Sequence, residues 1–287
     1  MQPEKKSIPD LEAVGLSIGG LEILLDIEPE TLRSEFTRRF QDFPVHGEPV
    51  FKVRMCAEEI SLLPREDLDR GWVFTSAGAQ FLSPSWEGEI DLKARQGYLF
   101  VRRSQPVEAM DYYLRVLLAM LVFEAGGFLF HSAGIVRQGK AYLFFGHSGS
   151  GKTTVSRLSA GAELLSDDLL VLLPSAAVWE AYATPFSQIQ SQPVICHSAP
   201  VAGLFRLVQS REVFLETLTP GEAMAELAAS VPVIQRDAGY SQALLERLLE
   251  LAEVYPVHHL HFLPDRSFWQ VILPVPNLNP SLSTCDG

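Results

Sequence analysis

The segment Gly146–Leu170, "GHSGSGKTTVSRLSAGAELLSDDLL", decides how the rest of the chain is read. Its first eight residues match G-x-x-x-x-G-K-[ST] at every fixed position. The glycines let the backbone close around phosphate oxygens with its amides turned inward. A helix opening directly after the loop presents its positive end to the same anion. Lys152 reaches the outer phosphates, and the Thr153 hydroxyl suits Mg²⁺. The preceding "KAYLFF" reads as a buried strand, so the loop has the strand-before, helix-after setting that the motif needs. Gly146, His147, Ser148, Gly149, Ser150, Gly151, Lys152, Thr153 and Thr154 are therefore the expected nucleotide-binding residues, with ATP and Mg²⁺ as cofactors.

The remainder of the segment returns the chain to the loop. Lys152–Ala160 reads as nine residues of helix, about 13 Å outward at 1.5 Å per residue. Gly161 supplies a stop. Glu163–Ser166 then reads as four residues of strand, about 13 Å back. The two lengths cancel and deliver Asp167 and Asp168 to the C-terminal edge of the sheet, where open α/β sheets bind ligands. A carboxylate pair there divides into two tasks: helping to neutralise the polyphosphate through Mg²⁺, and accepting the proton of an attacking hydroxyl. The plainer alternatives are that both hold Mg²⁺, or that one caps the following turn.

His131 lies upstream, in "FLFHSAGIVRQGKAYLFFG", read as a hairpin turning at Arg137-Gln138-Gly139. With Val136 opposite Lys140, His131 faces Phe145 beside the loop, and a bulge at Gly139 shifts this by one. A lone histidine in an apolar strand is ordinarily a core residue; this placement makes it a catalytic candidate.

The bulk numbers limit the alternatives. The 287 residues carry a net charge of −12, which argues against a nucleic-acid surface, since phosphate backbones need clustered Lys and Arg. Three cysteines without a CxxC pair give no disulfide framework and fit a reducing cytoplasm. The start of the chain has no apolar signal-peptide core, and "VLLAMLVF" (116–123) is far short of the ~20 residues of a membrane span, so a buried helix is expected there.

Two parts are expected. Residues 1–105 read as a smaller β-rich domain with one short helix and two hairpins, its role open to packing or partner binding. Residues 106–287 read as an α/β domain carrying the loop, opened by a helix at about 107–124 between Pro106 and Gly126–Gly127. "TPGEAMAELAASV" carries a capping box on Thr219 and Glu222, and "DAGYSQALLERLLELAEV" reads as a second amphipathic helix with Asp237 available as its cap. "VHHLHFL" and "SFWQVIL" read as closing strands. His259 and His261 share one face of the former, a conceivable metal pair without an obvious third ligand. Cys196-His197 reads as loop, and Phe268 and Trp269 as core. An arginine to stabilise transferring phosphoryl charge is sought among Arg157, Arg206, Arg211, Arg236 and Arg266, and the sequence does not choose.

Taken together, "FHSAGIV…GKAYLFFGHSGSGKTTVSRL…GAELLSDDLLVL" resembles the catalytic core of the HPr kinase/phosphorylase-like proteins, whose fold is similar to the nucleotide-binding part of phosphoenolpyruvate carboxykinases. "ATPF", "APVAGLFRLVQ" and "SFWQVI" resemble a subgroup that includes lasso-peptide kinases acting on precursor peptides of ribosomally made products. The resemblance spans about 105–273. It implies an ATP-dependent serine kinase in which Asp167 is the base, Asp168 helps position the metal with Thr153, and His131 and Lys152 assist at the transferred phosphate. Thr154 stands where HPr kinases carry an acidic residue and His147 where Asp is frequent, which argues against HPr itself as substrate. The expected partner is a hydroxyl-bearing acceptor, a serine of a peptide or small protein ahead of a free serine-type small molecule. A homo-oligomer is compatible with the sequence. The rivals are a nucleotide-binding regulatory module and a common P-loop switch or motor, which places its second acidic residue much farther downstream.

Overall fold

A computed structural model describes residues 13–57, 71–75, 77–83, 85–102, 105–159, 161–176, 178–186, 197–233 and 240–273. Within them the chain is mixed α/β, with two sheets and six helices.

The first sheet comprises β1 (Val14–Ile18), β2 (Leu21–Glu28), β3 (Phe51–Ala57), β4 (Gly71–Thr75), β5 (Gly78–Leu82), β6 (Trp86–Asp91) and β7 (Gln96–Val101), in the order β1-β2-β3-β7-β6-β5-β4. The β4–β5 and β6–β7 pairs are the two expected hairpins. The central β2–β3–β7 pairs are parallel. α1 (Glu30–Arg39) crosses between β2 and β3 and buries Leu32 and Phe36. Alternating burial along β1 and β2 leaves one face for the core, the period-2 pattern of a half-covered sheet.

α2 (Pro106–Glu124) follows, with proline in its first turn. Twelve of its 19 residues are buried, including the run Val116–Phe123, because a helix apolar on all faces must be covered on all faces. Among the described residues, no helix is long and apolar enough to cross a membrane. Tyr113 donates its hydroxyl to the Glu89 carbonyl of β6 (2.7 Å), and Arg39 of α1 donates to Asp111 (2.5 Å). On its other side α2 meets the second sheet, so one hydrophobic cluster runs through both halves of the chain. The helix placed at the head of the second domain is thus also the lid of the first sheet.

The second sheet contains β8 (Phe128–Phe130), β9 (Ser132–Arg137), β10 (Lys140–Phe145), β11 (Glu163–Ser166), β12 (Leu170–Ser175), β13 (Val178–Tyr182), β14 (Ser198–Gln209), β15 (Phe214–Thr217) and β16 (Val257–Phe262). The long β14 joins its two parts, pairing first with β13 and then with β10 and β16. α3 (Lys152–Leu158) connects β10 to β11, and both strands lie antiparallel to β9 between them. The out-and-back path therefore steps over one intervening strand. α4 (Pro220–Ala229) begins with the full capping box on Thr219 and Glu222.

Four readings are corrected. "FLFHSAGIV" is two strands, broken at His131, whose amide donates to the Ser230 carbonyl (2.8 Å) instead of to a sheet neighbour. The β9–β10 register is offset by one, with Ser132 opposite Phe145, because Gln138 (φ 53°) and Gly139 (φ 69°) form a two-residue turn. α5 (Ser241–Val254) starts at Tyr240 as N-cap; Asp237 lies outside the described residues. "SFWQVI" is the short helix α6 (Phe268–Ile272), not a strand. Asp265 accepts the Ser267 amide (2.8 Å) and turns the chain, so that Phe268 and Trp269 both reach Phe144.

Candidate functional site

The loop after β10 is held from several directions. Gly146, Gly149 and Gly151 all have positive φ (145°, 79° and 115°). Gly151 is tightest: a Cβ there would sit 2.6 Å from Cζ of Phe262. Gln209, at the end of β14, donates to the Gly149 carbonyl (2.9 Å) and fixes the loop tip. The exposed His147 places Nδ1 2.7 Å from the Ser148 carbonyl. Lys152 is buried and donates through Nζ to the Gly146 carbonyl (2.8 Å), with the His147 carbonyl at 3.4 Å. Burial pulls the Lys152 ammonium below its ordinary pKa against the opposing pull of the nearby Asp168 carboxylate. Thr153 and Thr154 occupy the first turn of α3, half-buried.

The Asp pair sits in a short break between β11 and β12. Ser166 shapes that break, its Oγ accepting the amides of Asp168 and Leu169 (3.2 Å each). Asp167 and Asp168 are both buried, at 3% and 8% exposure, which sets them apart from ordinary surface acids. Asp168 is gripped on both oxygens. His131 Nε2 lies 3.1 Å from Oδ1, and Arg115 of α2 donates to Oδ2 at 2.9 Å. Burial pushes the Asp168 carboxyl up, but the His131 hydrogen bond and the Arg115 guanidinium outweigh it and hold the group below its ordinary value. The register places His131 one residue beyond the Ser132–Phe145 pair, level with Gly146.

His131, Lys152 and Asp168 thus converge at one edge of the second sheet, with Asp167 beside Asp168 on the chain. Both Asp168 oxygens already accept hydrogen bonds, an arrangement that suits a metal through water better than directly. The sequence reading missed Arg115. Its signal was a lone cation within an otherwise apolar helical stretch, a residue that must be paired where it is covered. Arg115 also stacks over the Phe186 ring (4.9 Å). Of the five arginines considered, Arg157, Arg211 and Arg266 are exposed, and Arg236 is outside the described residues. Arg206 is tied to Glu226 (3.2 Å) and to the Leu207 carbonyl (2.5 Å). Cys196 is likewise outside the described residues.

A cavity of about 530 Å³ opens onto His131 and Asp168. Its walls include Glu108, Asp111, Tyr112 and Arg115 from α2, and Ser230 from the end of α4. Burial raises the Asp111 carboxyl above its ordinary pKa, against the lowering effect of Arg39.

The donor set fits a magnesium nucleotide. The Thr153 hydroxyl and the Asp carboxylates are hard oxygen donors. The buried Ser150 hydroxyl has no hydrogen-bond partner among the described residues, and a side chain at Gly146 would press within 2.9 Å of it.

No family model matches this sequence, and no curated protein matches it. Among solved structures, the chain is similar to the HPr(Ser) kinase/phosphatase from Coxiella burnetii, with 14% identity and a TM-score of 0.26. The match covers 42% of this chain and 87% of that one. A likeness of this size carries no argument about function, which rests here on the residues themselves.

Proposed function

We propose that the protein is an ATP- and Mg²⁺-dependent kinase that transfers the γ-phosphoryl group to a hydroxyl, with a serine of a peptide or small protein as acceptor. One observation supports the reading: Lys152, Asp168 and His131 gather at the sheet edge beside the glycine-containing loop, with the buried Asp167 next to Asp168 in the chain.

The roles follow from the positions. Loop amides and Lys152 bind the β- and γ-phosphates and draw off charge. Thr153 and Asp168 are the residues that would hold Mg²⁺, which when bound would neutralise further polyphosphate charge. Arg115 and His131 together keep Asp168 ionised and aimed. The acceptor enters through the cavity beside His131. Its hydroxyl oxygen bonds to the γ-phosphorus as the bond to the β–γ bridging oxygen breaks. The hydroxyl proton passes to the Asp167 carboxylate, and ADP leaves.

A small hydroxyl compound is the second reading. The cavity lies within the ~300–1,000 Å³ of small-molecule sites, and its Glu108 and Asp111 walls favour a cationic acceptor over an anionic one.

The test is incubation with γ-labelled ATP, Mg²⁺ and a panel of serine-containing peptides and amino compounds. Labelled acceptor from the wild type, lost in Asp167→Asn with ATP affinity kept within a few-fold, is the expected result. Tight ATP binding with no labelled product across the panel would favour a regulatory module instead.

A further inference from the structure

The β15–β16 edge of the second sheet carries a separate cluster that the phosphoryl-transfer reading does not use. β15 and β16 pair antiparallel, with Glu216 opposite His259 and Phe214 opposite His261. Residues two apart on a strand share a face, so His259 and His261 point the same way, and Glu216 is brought to them from the adjacent strand. Glu216 Oε2 lies 3.5 Å from His259 Nδ1 and 3.4 Å from His261 Nε2. One donor atom from each of the three residues lies within 4.8 Å of the others. Among the described residues, no other group of three such side chains gathers in this way.

These separations have a chemical meaning. Two ligands bonded to zinc at ~2.0–2.1 Å in tetrahedral geometry stand ~3.4 Å apart. The two carboxylate–imidazole distances already have that value, and the imidazole donors lie within 4.8 Å of each other. Two further features resemble an outer shell. The other ring nitrogen of His259, Nε2, faces Glu226 Oε1 of α4 at 4.0 Å, ion-pair reach from which a shift of about 1 Å would give the carboxylate–histidine hydrogen bond that fixes a metal-binding ring. Glu226 is itself held by Arg206 of β14 at 3.2 Å. On the other side, His261 lies flat against Phe214, with ring centroids 4.1 Å apart at 8°, which restrains its rotation.

We propose that Glu216, His259 and His261 form a binding site for a zinc-class divalent cation, with a fourth position open to water. Mixed imidazole and carboxylate donors select transition metals over Mg²⁺, whose preferred ligands are all oxygen. The site differs in its residues and donor chemistry from the nucleotide loop, and its occupation fastens β15 to β16.

The full chain, reduced and free of nucleotide, is titrated with Zn²⁺ by calorimetry, and its melting temperature is followed at each addition. The expected result is saturable binding of one ion that raises the melting temperature. The affinity should drop at least about tenfold in His261→Ala and in Glu216→Gln, and about tenfold in Glu226→Gln. Glu216 is largely exposed, so Glu216→Gln leaves packing intact and separates ligand loss from misfolding. His46→Ala, far along the chain in an exposed irregular segment, should bind as the wild type does. No saturable binding by the wild type, or undiminished affinity in Glu216→Gln and His261→Ala, would overturn the assignment. Neither outcome bears on phosphoryl transfer, because no nucleotide is present.

Discussion

Replacing Gly151 by alanine perturbs the loop at its most constrained point, and its neighbour Gly149 supplies the control. Gly151 has φ 115° and ψ 12°, a conformation that L-residues rarely adopt, and holding alanine there costs about 1–3 kcal/mol. The new Cβ also meets Phe262 at 2.6 Å. Phe262 is buried, packs edge-on against Phe268 and cannot swing away freely, so overpacking adds roughly 1–3 kcal/mol. The sum is about 2–6 kcal/mol, relieved in part by opening the loop. Gly149 has φ 79°, and a Cβ added there would meet nothing within 4 Å, so Gly149→Ala carries only left-handed strain, about 1–2 kcal/mol. Denaturant unfolding and ATP titration on both variants give the comparison. Gly151→Ala should lose at least about 1 kcal/mol more stability than Gly149→Ala and bind ATP at least about tenfold more weakly than the wild type. Equal stability of the two variants, with ATP affinity unchanged in Gly151→Ala, would refute the claim that Phe262 and the Gly151 backbone set the loop's shape.

Other outcomes follow from the ion-pair network. Arg115→Leu removes one of two partners of a buried carboxylate, and with Arg115 itself partly exposed the loss should be about 2 kcal/mol, read by chemical denaturation; a change under about 0.5 kcal/mol would show the pair to be ornamental. Asp168 is held below its ordinary value of 3.8, so its contribution to stability is complete above that pH and is lost as the pH falls through the lower folded value. Acid unfolding curves should therefore be shallower below about pH 4 for Asp168→Asn than for the wild type, and parallel curves would contradict the network. Asp167→Asn, in turn, separates chemistry from binding, as set out for the acceptor panel.

The legible parts of this chain were those encoded locally. The phosphate-loop motif fixed the β10–loop–α3 unit, Pro106 and Gly126 bounded α2, and Thr219 with Glu222 announced α4. What was not legible depended on distant partners. Arg115 and Asp168 are 53 residues apart, and Glu216 and His261 are 45 apart, so neither pairing has a sequence signature. The parallel β2–β3–β7 core of the first sheet was hidden for the same reason. The one-residue register error came from Gln138, which takes a left-handed conformation more usual for Asn, Asp or Gly. α6 was misread because adjacent aromatic and β-branched residues favour strands, whereas the Asp265 turn and packing on Phe144 favour a helix.

The most direct test of the kinase reading is equilibrium binding of ATP, with and without Mg²⁺, to the wild type and to Lys152→Ala. The account predicts Mg²⁺-dependent binding by the wild type, weakened at least about tenfold when the lysine that caps the loop carbonyls and faces Asp168 is removed. A wild type that ignores ATP, or a Lys152→Ala variant that binds it equally well, would contradict it.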